Sequence, residues 1–191
     1  AFQMPLYPMI SNIDTESSRD NHGKVWNTRR NHLGWRLYLR GESDAIAERV
    51  RELTRTILRV AAENKAAVMP GYTHLQRAQP ILFSHHILAY AMMLLRDLER
   101  LRDCRKRIDV SPIGACALAG TTYPTNRRFE AEKLSFDGVC ENSVDGVSDR
   151  DFCLELLSCL SILMAHLSRF AEEIILWSSW EFRFITLSDA F

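Results

Sequence analysis

The sequence predicts an all-α fold, an elongated bundle of long helices, and two observations support this class. Only 8 Gly and 6 Pro occur in 191 residues, and most of them gather at a few breaks. The tracts between these breaks carry apolar residues at spacings of three and four, the period of an amphipathic helix. Each tract would form a helix roughly 40 Å long. Helices of that length pack most simply side by side in a bundle.

The first two long helices are predicted from their start signals and their apolar stripes. Ser43 can act as the N-cap of the first helix, and Pro80 favours the first turn of the second. Strand signals are weak, so no sheet is expected. The first stripe runs through Ile46, Val50, Leu53, Ile57, Val60 and Ala67, and the second through Ile87, Ala91, Leu94, Leu98, Leu101 and Ile108.

The third long helix is predicted to begin near Ser148, with Asp151 completing a variant of the capping box. Apolar residues lie on several of its faces, and such a helix must be surrounded. Three long helices and a short one over residues 126–134 do not easily surround it, so we expect other subunits to do so. Its stripe comprises Phe152, Leu156, Cys159, Leu163, Leu167, Phe170, Ile174 and Trp177, and its other faces carry Leu154, Leu157, Leu160, Ile162 and Met164.

The balanced charge disfavours two classes of partner. The chain has 24 basic and 24 acidic residues, so it lacks the basic excess typical of proteins that bind nucleic acid or anionic membranes. Its most apolar stretch, residues 156–168, is too short to span a bilayer. Five cysteines without a C-x-x-C pair, and an N-terminus without a secretory signal, favour a reducing cytoplasmic compartment.

A polar connection between the first two helices is the strongest candidate site. Pro70-Gly71 and Pro80 enclose a hydroxyl, an imidazole, amides and a guanidinium, contributed by residues 73–79. Such groups near a helix N-terminus suit an anionic ligand. The alternative is structural: Thr73 and Gln79 cap the second helix, and His74 is only a turn residue.

The other histidines are interpreted as structural. His85 and His86 are adjacent in the second helix, about 100° apart, so they do not share a metal-binding face. His166 lies in the most apolar tract, where we expect a core histidine bonded to a carbonyl. No metal site is predicted.

The central motif, Pro-Gly-Tyr-Thr-His-Leu-Gln-Arg-Ala-Gln-Pro over residues 70–80, resembles the signature of the argininosuccinate lyase family. This family belongs to the fumarase and aspartase superfamily. Residues 111–121, 142–151, 166–169 and 187–190 agree with the same family. The resemblance therefore implies that the predicted bundle is part of the central helical domain of such a lyase.

The resemblance also implies a reaction, the β-elimination of argininosuccinate to arginine and fumarate in arginine biosynthesis, with no metal or organic cofactor. His74 matches the family's catalytic histidine, which does acid-base work at the leaving nitrogen, and imidazole titrates near neutrality. Thr73 matches a residue that hydrogen-bonds substrate. Arg150 matches a position where a cation could hold a carboxylate, although an ion pair with Asp149 or Asp151 is the structural alternative. A cytoplasmic homotetramer is implied.

Two departures from the family pattern leave a second hypothesis open. The family has an earlier sequence signature with substrate-binding residues, and residues 23–33 match it poorly. Residues 1–35 are therefore expected to be a divergent segment, and residues 36–191 a partial central domain. Within that segment, only Arg30 and Asn31 are carried over as substrate-binding residues.

In the family, residues like 187–190 precede a mobile loop whose serine is the proposed base, and here the sequence ends at Phe191. We therefore expect the isolated chain to be inactive; the alternative is a non-catalytic helical-bundle or interaction protein descended from the lyase.

Overall fold

The structure is a computed structural model that describes residues 28–189, without the side chains of residues 28–35 and 37. Three long helices dominate it, which confirms the all-α class. The elements in chain order are α1 (Thr28–Glu63), β1 (Val68–Thr73), β2 (Gln76–Leu82), α2 (Phe83–Ile108), β3 (Val110–Ser111), α3 (Arg127–Lys133), β4 (Gly138–Val139), α4 (Ser143–Ser148) and α5 (Asp151–Ser178).

The chain divides into two compact units. Of the described residues, the first unit contains those up to Asp44 together with Asp103–Leu154, and the second contains Ala45–Arg102 together with 155–189. In the second unit, α1, α2 and α5 contribute one cluster of buried side chains, and all of them come from the predicted stripes except Ala61 and Tyr90. The cluster comprises Val50, Ile57, Ala61, Ile87, Tyr90, Ala91, Leu94 and Leu163.

The first unit relies on buried arginines as well as apolar packing. The guanidinium of Arg36, which is 3% exposed, donates to the carboxylate of Asp149 and to the carbonyl of Arg107, and it lies over the ring of Phe152. Asp109, also buried, pairs with Arg40 at 3.1 Å. These bonds satisfy groups that would otherwise be buried without partners.

The short helix α3 confirms the prediction for residues 126–134. The side chain of Asn126 caps it by accepting the amide of Phe129 at 3.0 Å. Near it, β3 and β4 form a minimal parallel pair in which Val110 lies opposite Gly138.

Three helix starts differ from the predictions. Helix α1 begins at Thr28, and Ser43 is buried in its interior, 2% exposed, so Ser43 is not an N-cap. Helix α2 begins at Phe83, because Pro80 lies in a strand. Helix α5 begins at Asp151, whose amide donates to the carboxylate of Asp149 at 2.8 Å, so Asp149 takes the capping role expected of Ser148.

The connection between α1 and α2 is an antiparallel β-hairpin, whereas the sequence predicted no strands. Strand β1 pairs with β2 from Val68 opposite Leu82 to Thr73 opposite Gln76. The turn consists of His74 and Leu75, both with positive φ (53° and 58°). Two consecutive residues with positive φ form the tight turn that matches the twist of a hairpin.

Helix α5 leaves much apolar surface uncovered within the chain. By length and composition this helix could cross a membrane, contrary to the expectation from residues 156–168, and 22% of its apolar window is buried within the chain. The core helix of a soluble protein, which is mostly buried, passes the same test of length and composition. Its most exposed apolar side chains are Leu154, Leu157, Met164 and Ile175.

Candidate active site

The tip of the hairpin presents the two residues that the sequence singled out most strongly. Thr73 and His74 are adjacent and exposed, Thr73 at the end of β1 and His74 at the first position of the turn. Left-handed backbone at a residue other than glycine costs about 1–2 kcal/mol. His74 and Leu75 both adopt it. Strained residues of this kind cluster at ligand-binding and catalytic positions.

The hairpin is anchored at its base. The amide of Phe83 donates to the carbonyl of Ala67 at 2.9 Å, and Met69 is 7% exposed. The ring of Phe83 packs against Trp177, with 5.5 Å between centroids. The strands also line a cavity of about 380 Å³, whose lining residues are Val68, Met69, Pro70, Arg77, Ala78, Gln79 and Pro80.

The remaining predicted site residues belong to the first unit. The guanidinium of Arg150 donates to the backbone carbonyls of Val147 and Asp149, at 3.1 and 2.6 Å. The carboxylate of Asp149 is bound by Arg36. Arg30 and Asn31 lie in α1, and their side chains are outside the described residues. The structure thus brings together Thr73 and His74 at the hairpin tip.

His166 takes part in a hydrogen bond to a buried carboxylate, which the sequence did not indicate. Its Nδ1 lies 2.7 Å from Oδ2 of Asp97, a carboxylate that is 1% exposed and also accepts from Arg100 at 2.9 Å. The expected partner, a carbonyl, was therefore wrong. Asp97 precedes His166 by 69 residues, so no local pattern could have identified the pair.

A second polar cluster lies between α2 and α5 in the same unit. Glu173 accepts the hydroxyl of Tyr90 at 2.7 Å, and its other oxygen lies 3.3 Å from Nε2 of His86. Burial, together with the hydrogen bond to Glu173, raises the pKa of Tyr90 above its ordinary value. His85 is exposed. The cluster joins two helices, in agreement with the structural interpretation of His86.

Among the side chains that the structure describes, no three His, Cys, Asp or Glu are grouped so that they could hold a metal ion. What the hairpin tip offers is an imidazole and a hydroxyl, groups that exchange protons and donate hydrogen bonds.

Comparison with known proteins places the chain among lyases. Residues 30–191 match the Lyase family. The argininosuccinate lyase of Acetivibrio thermocellus is 58% identical over 159 residues, which cover 83% of this chain and 35% of that protein. The argininosuccinate lyase of Citrifermentans bemidjiense is 50% identical over 197 residues, 100% of this chain and 43% of that protein. The chain therefore spans between about a third and under half of these relatives.

A solved structure agrees with these sequence matches. The crystal structure of EDDS lyase in complex with formate superposes with a TM-score of 0.78 at 36% identity. The match covers 80% of this chain and 31% of that chain.

Proposed function

The chain belongs to the lyase family, and from that premise we propose that it serves the cleavage of argininosuccinate to arginine and fumarate, a step of arginine biosynthesis. The observation that carries the proposal is the strained, exposed hairpin tip, which presents His74 directly beside Thr73. The name shared by relatives at 50–58% identity supports this substrate. EDDS lyase, at 36% identity, supports it less directly.

The proposed reaction needs a base, an acid and groups that hold carboxylates. A base removes a proton from the carbon beside a carboxylate, and the electron pair of that C–H bond becomes the new C=C bond of fumarate. The C–N bond breaks, and its electron pair stays on the departing guanidino nitrogen. His74 gives that nitrogen a proton, so arginine leaves with its guanidinium group protonated. Thr73 donates or accepts a hydrogen bond that orients the substrate.

Three further residues complete the proposal for substrate binding. Arg150, Arg30 and Asn31 are proposed to hold the substrate by ionic and hydrogen bonds, since guanidinium groups bind carboxylates in a bidentate fashion. The family resemblance implies active sites built from several subunits. These residues therefore need not serve the same site as His74. No cofactor is proposed for any step.

The proposed assembly is a cytoplasmic homotetramer, in which other copies cover the apolar surface of α5. Leu154, Leu157 and Met164 are each at least 60% exposed within the chain, and contiguous exposed apolar surface marks an interaction site. Residues 36–191 are proposed to form part of the central helical domain, and residues 1–35 a divergent segment. Sedimentation of the purified chain tests the assembly; a stable monomer would contradict it.

The decisive assay follows fumarate release from argininosuccinate by ultraviolet absorbance. Among the described residues no base is assigned beside His74, so we expect negligible turnover by the 191 residues alone. Co-assembly with a full-length argininosuccinate lyase whose own catalytic histidine is replaced by asparagine should restore turnover. In that mixture His74→Asn should lower the rate by at least about a hundredfold.

A matched control uses the neighbouring histidine. His85→Asn changes an exposed imidazole on α2 and should leave the restored rate within about twofold of the parent, as expected for a surface substitution. If the parent chain joins the mixed oligomers but restores no turnover, the proposed activity is wrong. That result would favour the second candidate, a non-catalytic bundle protein.

A further inference from the structure

The hairpin has one anchor close to its tip, and that anchor is Tyr72. Within the described chain every residue from Thr73 to Pro80 is exposed, whereas Tyr72 is half-buried. A two-stranded hairpin is at best marginally stable in water without further packing. The position of the tip therefore depends on what Tyr72 touches.

Tyr72 contacts two phenylalanines that follow α5. Its ring meets Phe182 edge to face, with 5.2 Å between centroids and planes at 82°, and it lies 6.4 Å from Phe184. The two phenylalanines contact each other at 5.5 Å, also edge to face. Edge-to-face contacts of this kind fix the relative orientation of rings. We refer to Tyr72, Phe182 and Phe184 as the aromatic clasp.

The chain reversal after α5 holds the clasp in place. The amide of Phe184 donates to the carbonyl of Trp177 at 2.8 Å, and Arg183 adopts a left-handed φ of 48°. Trp177, 3% exposed, is the same residue that packs against Phe83 at the base of the hairpin. Base and tip of the hairpin thus contact one segment, the last turn of α5 and the reversal that follows it.

The strand pairing beside Tyr72 is irregular. The register shifts between Gly71 and Tyr72, because Gly71 lies opposite Gln79 and Tyr72 opposite Arg77, which leaves Ala78 of β2 as an extra residue. A bulge of this kind increases the local twist of the strand pair. A Cβ at position 71 would lie 3.1 Å from the carbonyl oxygen of Gln79, so the two strands approach closely at this point.

We propose that Tyr72 is a positioning residue: through the aromatic clasp it fixes the hairpin tip and thereby places Thr73 and His74 for proton transfer. The inference rests on the proposed function. Tyr72 itself touches no reacting atom. Loss of the clasp should leave substrate binding by other groups intact and lower the rate of the chemical step, because proton transfer is sensitive to misplacement of about 1 Å.

The first test measures amide hydrogen exchange by mass spectrometry on the whole chain. Tyr72→Leu should speed exchange of the peptide covering residues 70–78 by at least about tenfold, as expected when a local opening becomes easier. Tyr72→Phe keeps the ring and should exchange like the parent. Tyr123→Leu removes an aromatic ring that is 78% exposed and serves as the control. If the peptide covering residues 70–78 exchanges in Tyr72→Leu at the same rate as in the parent chain, the inference is overturned.

The second test uses the restored fumarate release described above. Tyr72→Leu should lower kcat by about tenfold and leave KM within about twofold, and Tyr72→Phe should recover most of the loss. An unchanged kcat, or an effect confined to KM, would overturn the positioning role. If the parent chain restores no turnover, the proposed function and the positioning role fail together, while the exchange result still decides whether Tyr72 anchors the tip.

Discussion

The helical core of the second unit and the hairpin tip of the same unit differ in packing and in backbone strain. The core residues Leu94 and Ile57 are each 2% exposed and sit in unstrained helix, whereas Leu75 at the tip is 71% exposed with a left-handed backbone. Burial stabilises the core by about 1.5–3 kcal/mol per large side chain. The comparison teaches that most of the buried packing and the residues of the proposed chemistry lie in separate parts of the unit.

The largest expected effect is in the core. Leu94→Ala should lower the free energy of unfolding by about 2–5 kcal/mol, because it removes a buried side chain and leaves a cavity. Urea unfolding at a fixed protein concentration measures it. Leu118→Ala, at a side chain 59% exposed, is the matched control and should change stability by less than about 0.5 kcal/mol. Equal effects of the two substitutions would break the distinction between core and surface.

An intermediate effect is expected at Tyr90, where the core meets the polar pair with Glu173. The pKa of this tyrosine is raised in the folded chain, so above pH of about 10 the unfolded state loses a proton that the folded state keeps. The free energy of unfolding should therefore fall as pH rises, by about 1 kcal/mol between pH 7 and 10.5 from this group.

Substitution of Tyr90 tests this assignment. Tyr90→Phe should remove the contribution of this group to the decrease in the free energy of unfolding between pH 7 and 10.5. The loss of the hydrogen bond to Glu173 should also lower stability at pH 7 by about 1 kcal/mol. Tyr123→Phe, at an exposed tyrosine, should keep the fall in full. Urea unfolding at the two pH values measures both variants. An identical fall in parent and Tyr90→Phe would show that the folded chain does not hold this proton.

The smallest expected effect is at the tip. Leu75→Gly should raise the free energy of unfolding by up to about 1 kcal/mol, because glycine adopts positive φ without strain while the unfolded chain gains some flexibility. Leu75→Ala keeps the strain and should not stabilise. Thermal unfolding of both variants measures the difference. A loss of stability in both variants would mean that the exposed leucine is packed, and would weaken the contrast between tip and core.

The sequence predicted the helical core well because helical periodicity is a local property. The stripe residues Val50, Ile87, Leu94 and Leu163 were predicted from spacing alone and are buried together. Asn126 caps α3 where a short helix was expected. The start of α1 was predicted wrongly at Ser43, because a serine hydroxyl is a common N-cap. In the structure the helix begins 15 residues earlier, at Thr28, and its N-terminal part packs in the first unit.

The hairpin was missed for a physical reason. Proline and glycine at positions 70, 71 and 80 mark helix ends as readily as strand irregularities, and residues 73–79 show no alternation of polar and apolar side chains. A two-residue hairpin turn is usually Asn-Gly or a similar pair, and here it is His74 and Leu75. Nothing local therefore indicated a turn, although the same residues were identified as the candidate site from their chemistry and their family resemblance.

By itself, the sequence determined the helical class and the faces that pack, and it identified His74 as the candidate catalytic residue, because apolar periodicity and motif wording are carried by neighbouring residues. Only the tertiary structure decided the hairpin, the pairing of Asp97 with His166 and the aromatic clasp on Tyr72. The pairing of Val68 with Leu82 spans 14 positions, that of Asp97 with His166 spans 69, and the contact of Tyr72 with Phe182 spans 110. Such contacts form only when chain segments meet in the folded state, and no local signal records them.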